Sequence, residues 1–212
     1  MKFFIKELIN SMLGGICIAI GGTVYLESDN KYLGSLLFCV GLISICYMKL
    51  SLYTGQIGFI AVNHTQKDIL KIFTCLIGNI VAVCIFGRLM AIALPHLVDI
   101  AHNACINKLA AEDHAIFIKG VMCGMLMYIA VWVFKNKQST TAIFLAVPTF
   151  VIAGFEHSIA DVFYFSVNGL LNKDVIIFIA IVLLGNTVGS LMLCALQNLA
   201  NKIGEYYEQA EH

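Results

Sequence analysis

From Asp174 to Leu199 the chain is an apolar segment with no charged side chain after Asp174 itself. About 20 apolar residues are what a helix needs to cross the hydrocarbon core of a bilayer, so this segment limits the chain to a short list of folds. Composition extends the limit to the whole molecule. Of 212 residues, 60% are hydrophobic and 12% charged, with a mean hydropathy of +0.88. An average soluble domain carries roughly 25% charge. Thirteen basic residues against thirteen acidic ones leave no net field for a polyanion. A soluble enzyme and a nucleic-acid binder are therefore excluded, and the solvent of most of the chain is the lipid bilayer.

Six spans fit the hydropathy pattern. The first runs from about Ser11 to Leu26, the second from about Tyr32, the third from Ile69 to Leu94, the fourth from Ala115 to Phe134, the fifth from Thr141 and the sixth from Asp174 to Leu199. Met1 to Asn10, with Lys2, Lys6 and Glu7, reads as an amphipathic stretch rather than a signal peptide, because no small-residue cleavage site ends the apolar run after it. With the N-terminus inside, Lys2, Lys6, Lys67, Lys71, Lys135, Lys137 and Lys202 face the cytoplasm, and Lys31, Lys108 and Lys173 face outward. That asymmetry satisfies the positive-inside rule and predicts both termini in the cytoplasm. Residues 1–212 then form one pore domain.

The second and fifth segments are too long for one ordinary span, and each contains a polar break. The second is interrupted by Lys49-Leu50-Ser51-Leu52-Tyr53-Thr54-Gly55-Gln56, the fifth by Gly154-Phe155-Glu156-His157-Ser158. Irregular backbone at membrane depth survives only where protein or a watery cavity satisfies it. Gly78-Asn79-Ile80-Val81 in the third span is echoed by Gly185-Asn186-Thr187-Val188 in the sixth. Three spans with a broken middle one, repeated once, predict an all-α membrane protein built from two inverted repeats, about 9–95 and 112–200. Paired broken helices at corresponding places point to a transport site.

His157 is the foremost candidate, since a histidine inside a span is expensive unless paired or facing water, and its charge can change near neutral pH. A structural histidine bonded to carbonyls freed by the break fits the same position. Thr54 lies in the other break and can donate to an anion or accept from a histidine; it also suits the N-cap of a half-helix starting at Gly55. Glu156, Asn79 and Asn186 read as structural residues of the breaks. Half-helix N-termini directed at the breaks favour anions. Lys108, in the outer connection, either gathers anions at a pore mouth or is simply solvated. Seven cysteines lie in apolar runs and behave as small hydrophobes, whereas Cys105 falls in the longest polar segment and is expected to be accessible. No metal or cofactor site is readable. The remaining histidines, His64, His96, His102 and His114, share no ligand spacing and are expected to face solvent.

The run Gly154-Phe155-Glu156-His157-Ser158-Ile159-Ala160-Asp161 closely resembles the fifth-span signature of the formate/nitrite transporter family. Leu52-Tyr53-Thr54-Gly55 resembles its second-span break, the two Gly-Asn pairs resemble its third- and sixth-span motifs, and Ala130-Val131-Trp132 ends the fourth span as family members do. The resemblance implies an aquaporin-like fold in the inner membrane, assembled as a homopentamer with a pore in each protomer. It makes His157 the central pore histidine, Thr54 its facing threonine and Lys108 the vestibule lysine. Phe38, Leu42, Leu52, Tyr53 and Phe150 become pore constrictions; on sequence alone they are ordinary apolar residues. Two departures stand out: Gly124 where the family has a vestibule asparagine, and Tyr53 where an apolar aromatic is common.

A mechanism follows as an expectation. Lys108 and the helix dipoles draw in a small monovalent anion of a weak acid, with formate, nitrite and hydrosulfide all eligible. His157 and Thr54 then lower the penalty of crossing an apolar slit, by proton donation or hydrogen bonding. A pore for small neutral solutes is the main rival, and a membrane enzyme or haem protein using His157 is another.

Overall fold

The computed structural model describes residues 2–210, with side chains from Phe3 to Tyr206. Among these residues it is entirely helical, with no strand. Among the described residues four helices are long and apolar enough to cross a membrane: α1 (Lys2–Glu27), α5 (Gln66–Ala93), α7 (Asp113–Lys137) and α10 (Lys173–Ala210). Between the first pair lie the shorter α2 (Lys31–Leu37), α3 (Cys39–Tyr47) and α4 (Tyr53–Gln56), followed by a 3₁₀ turn over Ile57–Ala61. Between α7 and α10 lie α8 (Thr141–Ile152) and α9 (Ser158–Asn168), and α6 (Leu97–Leu109) joins the two halves.

Local chemistry sets several boundaries. Thr65 and Asp68 form a reciprocal capping box that starts α5. Asn30 caps α2 through its side-chain oxygen. Gly169, at φ +79°, ends α9 in the left-handed conformation open to glycine.

The two halves pack alike. α1 lies along α5 and α7 lies along α10, the two most extensive helix pairs. A β-carbon on Gly15 would sit 2.8 Å from the Asn79 carbonyl oxygen, and one on Gly124 would meet the Asn186 carbonyl oxygen and lie 2.8 Å from its Cα. Glycine at these two points lets the backbones touch. Gly124 therefore lies at a helix–helix contact, where the first carbon of an asparagine side chain would meet the Asn186 backbone of α10.

The outer faces are apolar. Phe73, Ile92, Ile176, Leu184 and Leu196 are all exposed, whereas Ser11, Thr54, Asn79, His157, Asn186 and Ser190 are buried. Polar groups inside and apolar groups outside suit a molecule dissolved in lipid.

Three sequence expectations change. The segment expected as a polar loop is the helix α6, because Leu97, Ala101 and Cys105 recur every four residues and form a fully buried stripe. Cys105 is thereby buried, not accessible. α1 begins at Lys2 and α10 continues to Ala210, so the amphipathic start and the polar tail extend their helices rather than flank them.

Candidate functional site

The two breaks have the same local geometry. In the first, Leu50 N–H reaches back to Ile45 C=O at 2.9 Å, and Lys49 takes a left-handed φ of 55°. In the second, Phe155 N–H reaches Phe150 C=O at 2.9 Å, and Gly154 has φ 68°. Each chain then runs extended into a new helix that begins at Tyr53 or at Ser158.

One asparagine holds each break. Asn79 Nδ2 donates to Ser11 O (2.7 Å) and Ser51 O (2.9 Å), and its Oδ1 accepts from Tyr53 N–H (2.8 Å). Asn186 Nδ2 donates to Gly120 O (2.9 Å) and Glu156 O (2.8 Å), and its Oδ1 accepts from Ser158 N–H (3.0 Å). Both side chains are fully buried. Each amide thus supplies, from a neighbouring helix, the partners that a broken helix cannot give itself. The bonds fix a register in which Ser51 corresponds to Glu156, Leu52 to His157 and Tyr53 to Ser158. Leu52, not Thr54, is the counterpart of His157, and Leu52 is also the residue preceding α4. The reading of Thr54 as an N-cap is corrected: it lies inside the helical turn, with its hydroxyl directed elsewhere.

That hydroxyl lies 2.8 Å from His157 Nε2, and both residues are buried. His157 itself precedes α9, and its Nδ1 accepts from Ala160 N–H at 3.2 Å. An accepting Nδ1 carries no proton, so neutral His157 keeps its proton on Nε2 and donates it to Thr54 Oγ1. Thr54 retains its own hydroxyl proton. The alternative in which His157 bonds freed carbonyls is not what its side chain does.

The Phe150 ring stacks on His157 at 5.6 Å between centroids, and Phe38 meets Phe150 edge-on at 6.2 Å. Leu42 and Leu52 border a cavity of about 410 Å³ that also touches Gly55, Gln56, Phe59 and Val131. Three lysines line this cavity as well: Lys49, Lys71 and Lys135. Tyr53 sends its hydroxyl to Thr187 Oγ1 of α10 at 2.8 Å, and Thr187 donates to Leu183 O at 2.7 Å. The five candidates therefore fall into Phe150 against His157 with Phe38 against Phe150, a pair bordering the cavity, and Tyr53 tied to α10.

Lys108 is not a solvated charge. Its side chain is 19% exposed, its ammonium lies 2.9 Å from Asp161 Oδ1, and it also pairs with Glu156 Oε2. Burial pulls against the Lys108 charge, and the Asp161 and Glu156 carboxylates overcome it, holding the ammonium above the ordinary lysine range. Glu156 thus serves twice, its carbonyl bound by Asn186 and its carboxylate by Lys108. Asp161 and Thr187 escaped assignment from sequence; a carboxylate within an apolar span is the signal that marks Asp161. Among the described residues no group of three or more His, Cys, Asp or Glu side chains is placed to hold a metal.

Apolar helices enclosing buried polar side chains define an integral membrane protein. Residues 2–200 match the family described as Formate/nitrite transporter, and the chain belongs to that family, whose members are channels and transporters rather than enzymes. It is 24% identical over 169 residues to the nitrite transporter NirC of Salmonella typhimurium, covering 74% of this chain and 63% of that one. It is 25% identical over 191 residues to the formate channel FocA of Escherichia coli, covering 76% and 66%. The chain thus spans less than two thirds of the length of these curated relatives. An FNT family ion channel of known structure superposes with a TM-score of 0.79 at 20% identity, covering 94% of this chain and 90% of that one. A pentameric formate channel with formate bound gives 0.74 at 22% identity, covering 99% and 98%. These solved structures share the fold.

Proposed function

We propose that this protein is a membrane channel or transporter for small monovalent anions of weak acids, with formate, nitrite and hydrosulfide as its substrate class. The observation that carries the reading is the hydrogen bond between Thr54 and His157, which joins the two breaks at 2.8 Å in the buried interior. Two neutral donors there, the Nε2–H and the threonine hydroxyl, suit an acceptor-rich anion passing between them. Without such donors, an anion leaving water for an apolar slit meets a Born penalty of several kcal/mol. A permeant that picks up a proton near His157 crosses as the neutral acid, which makes transport proton-linked.

The architecture proposed is one pore domain of six spans. α2 to α4 with the 3₁₀ turn form a broken second span, and α8 with α9 form a broken fifth, in two inverted repeats of aquaporin-like design. The shared break geometry and the paired asparagines support this reading. Phe38 with Phe150 on one side of His157, and Leu42, Leu52 and Tyr53 on the other, are the proposed constrictions. The lysine asymmetry supports cytoplasmic termini in the inner membrane, and the pentameric relative supports a homopentamer.

Initial uptake of formate, nitrite, hydrosulfide and lactate into proteoliposomes tests the proposal at about pH 5.5 and about pH 7.5. Fast flux of one or more, greater at the lower pH, is expected. Free passage of water or ammonia with no anion flux would replace this reading with a pore for neutral solutes.

A further inference from the structure

Asp161 lies one helical turn beyond His157, donating its N–H to the His157 carbonyl at 2.9 Å. An acidic residue in the first turn of a helix is ordinarily a mild stabiliser of the dipole. Three features set this one apart. Its residue is 1% exposed. It shares one lysine with a second buried carboxylate, that of Glu156. Its other oxygen, Oδ2, is buried without a hydrogen-bond partner among the described residues.

The charges do not balance. Two carboxylates and one ammonium leave one excess negative charge when all are ionised, and an uncompensated charge in a low-dielectric interior is costly. Two carboxylates competing for one cation relieve it by binding a single proton between them. The other titratable groups in electrostatic reach are Cys105 of α6, Cys123 of α7, His157 in the break, and Tyr164 of α9 with Tyr25 of α1 behind it. No further cation is among them, and α5 and α10 supply no titratable partner to Asp161 among the described residues. The orphaned Oδ2 offers the proton a position, and the partly exposed Lys108 side chain connects the cluster to water.

We propose that Asp161, Glu156 and Lys108 form a proton-binding site that takes one proton per protomer and, by doing so, admits an anion toward His157. Proton uptake converts the cluster from one net negative charge to neutral, with no bond made or broken except the carboxyl O–H. Unprotonated, the cluster carries net negative charge and repels a monovalent anion; protonated, it is neutral, Lys108 stays paired with the remaining carboxylate, and the repulsion is gone. The transport half of this inference rests on the function proposed above, and the proton-binding half does not.

Infrared difference spectra of the reconstituted protein between acidic and alkaline buffer read the proton directly. The expected result is a carboxylic-acid carbonyl band in the wild type that is lost in Asp161→Asn and retained, shifted, in Asp161→Glu. Formate uptake against external pH is measured on the same samples, and the ratio of acidic to alkaline uptake should fall several-fold in Asp161→Asn. The Glu variant should restore the wild-type ratio. No titrating carboxyl band in the wild type, or a band unchanged in Asp161→Asn, overturns the proton site. A band lost on schedule with identical uptake profiles overturns its role in admission. Loss of formate uptake in the wild type itself, with the band intact, overturns the transport reading while the proton site stands.

Discussion

Replacing Asn79 or Asn186 by leucine isolates the interaction that holds each break together. Leucine has a similar volume, so the change removes hydrogen bonds more than packing. In Asn79→Leu the Tyr53 N–H and the Ser51 carbonyl lose their partner, while Ser11 lies within α1 and keeps the partner its own helix provides. In Asn186→Leu the orphans are Ser158 N–H and the Glu156 carbonyl. Each buried group left unsatisfied costs about 1–3 kcal/mol, so either variant should lose about 2–6 kcal/mol. That is a large share of a domain stability of about 5–15 kcal/mol. Unfolding of the purified protein in mixed micelles, titrated with a denaturing detergent, gives the free energy of each variant. Similar losses in the two variants are expected, because the amide-to-backbone bonds match; Asn79 adds only a weak acceptor contact from the Cys75 thiol at 3.6 Å. A loss below about 1 kcal/mol in either variant would refute the claim that the amide secures the break.

Thr54→Val removes the acceptor of the His157 Nε2–H and one donor to the permeant. One hydrogen bond of that kind corresponds to about a tenfold fall in formate uptake, with Thr54→Ser close to wild type. Lys49→Gly relieves a left-handed side-chain conformation at the first break and should raise stability by about 1 kcal/mol in the same detergent titration. Lys108→Met leaves two buried carboxylates facing one another and should cost about 3 kcal/mol, recovered in part by adding Asp161→Asn. The sign of the Lys108 contribution to stability follows from its raised value. The stability that Lys108 contributes is complete below the unfolded lysine value and is lost only as pH rises through its raised folded one, so it stays cationic at every neutral pH.

The breaks were legible because each interrupts an apolar run with glycine or charge. The fifth-span break was bounded closely, since Gly154 marks its left-handed residue. The second-span break was drawn too long: expected to continue to Gln56, it ends before Tyr53, where Asn79 captures the Tyr53 N–H from another helix. A tertiary partner set that boundary, and nothing local announces it. The helix α6 was hidden because its buried stripe consists of only three residues among polar ones. Lys108 looked solvated because its partners lie 48 and 53 positions along the chain, Glu156 in the break and Asp161 in the first turn of α9. The Thr54–His157 bond spans 103 positions, and the nearness of the two breaks, rather than their register, was what the sequence could convey.

The most direct test of the central claim is formate uptake into proteoliposomes by wild type and His157→Phe, measured from about pH 5 to about pH 8. If the Nε2–H of His157 lowers the penalty for the permeant, the variant loses most of its flux across that range. Uptake in the variant that matches the wild type across that range would contradict the account.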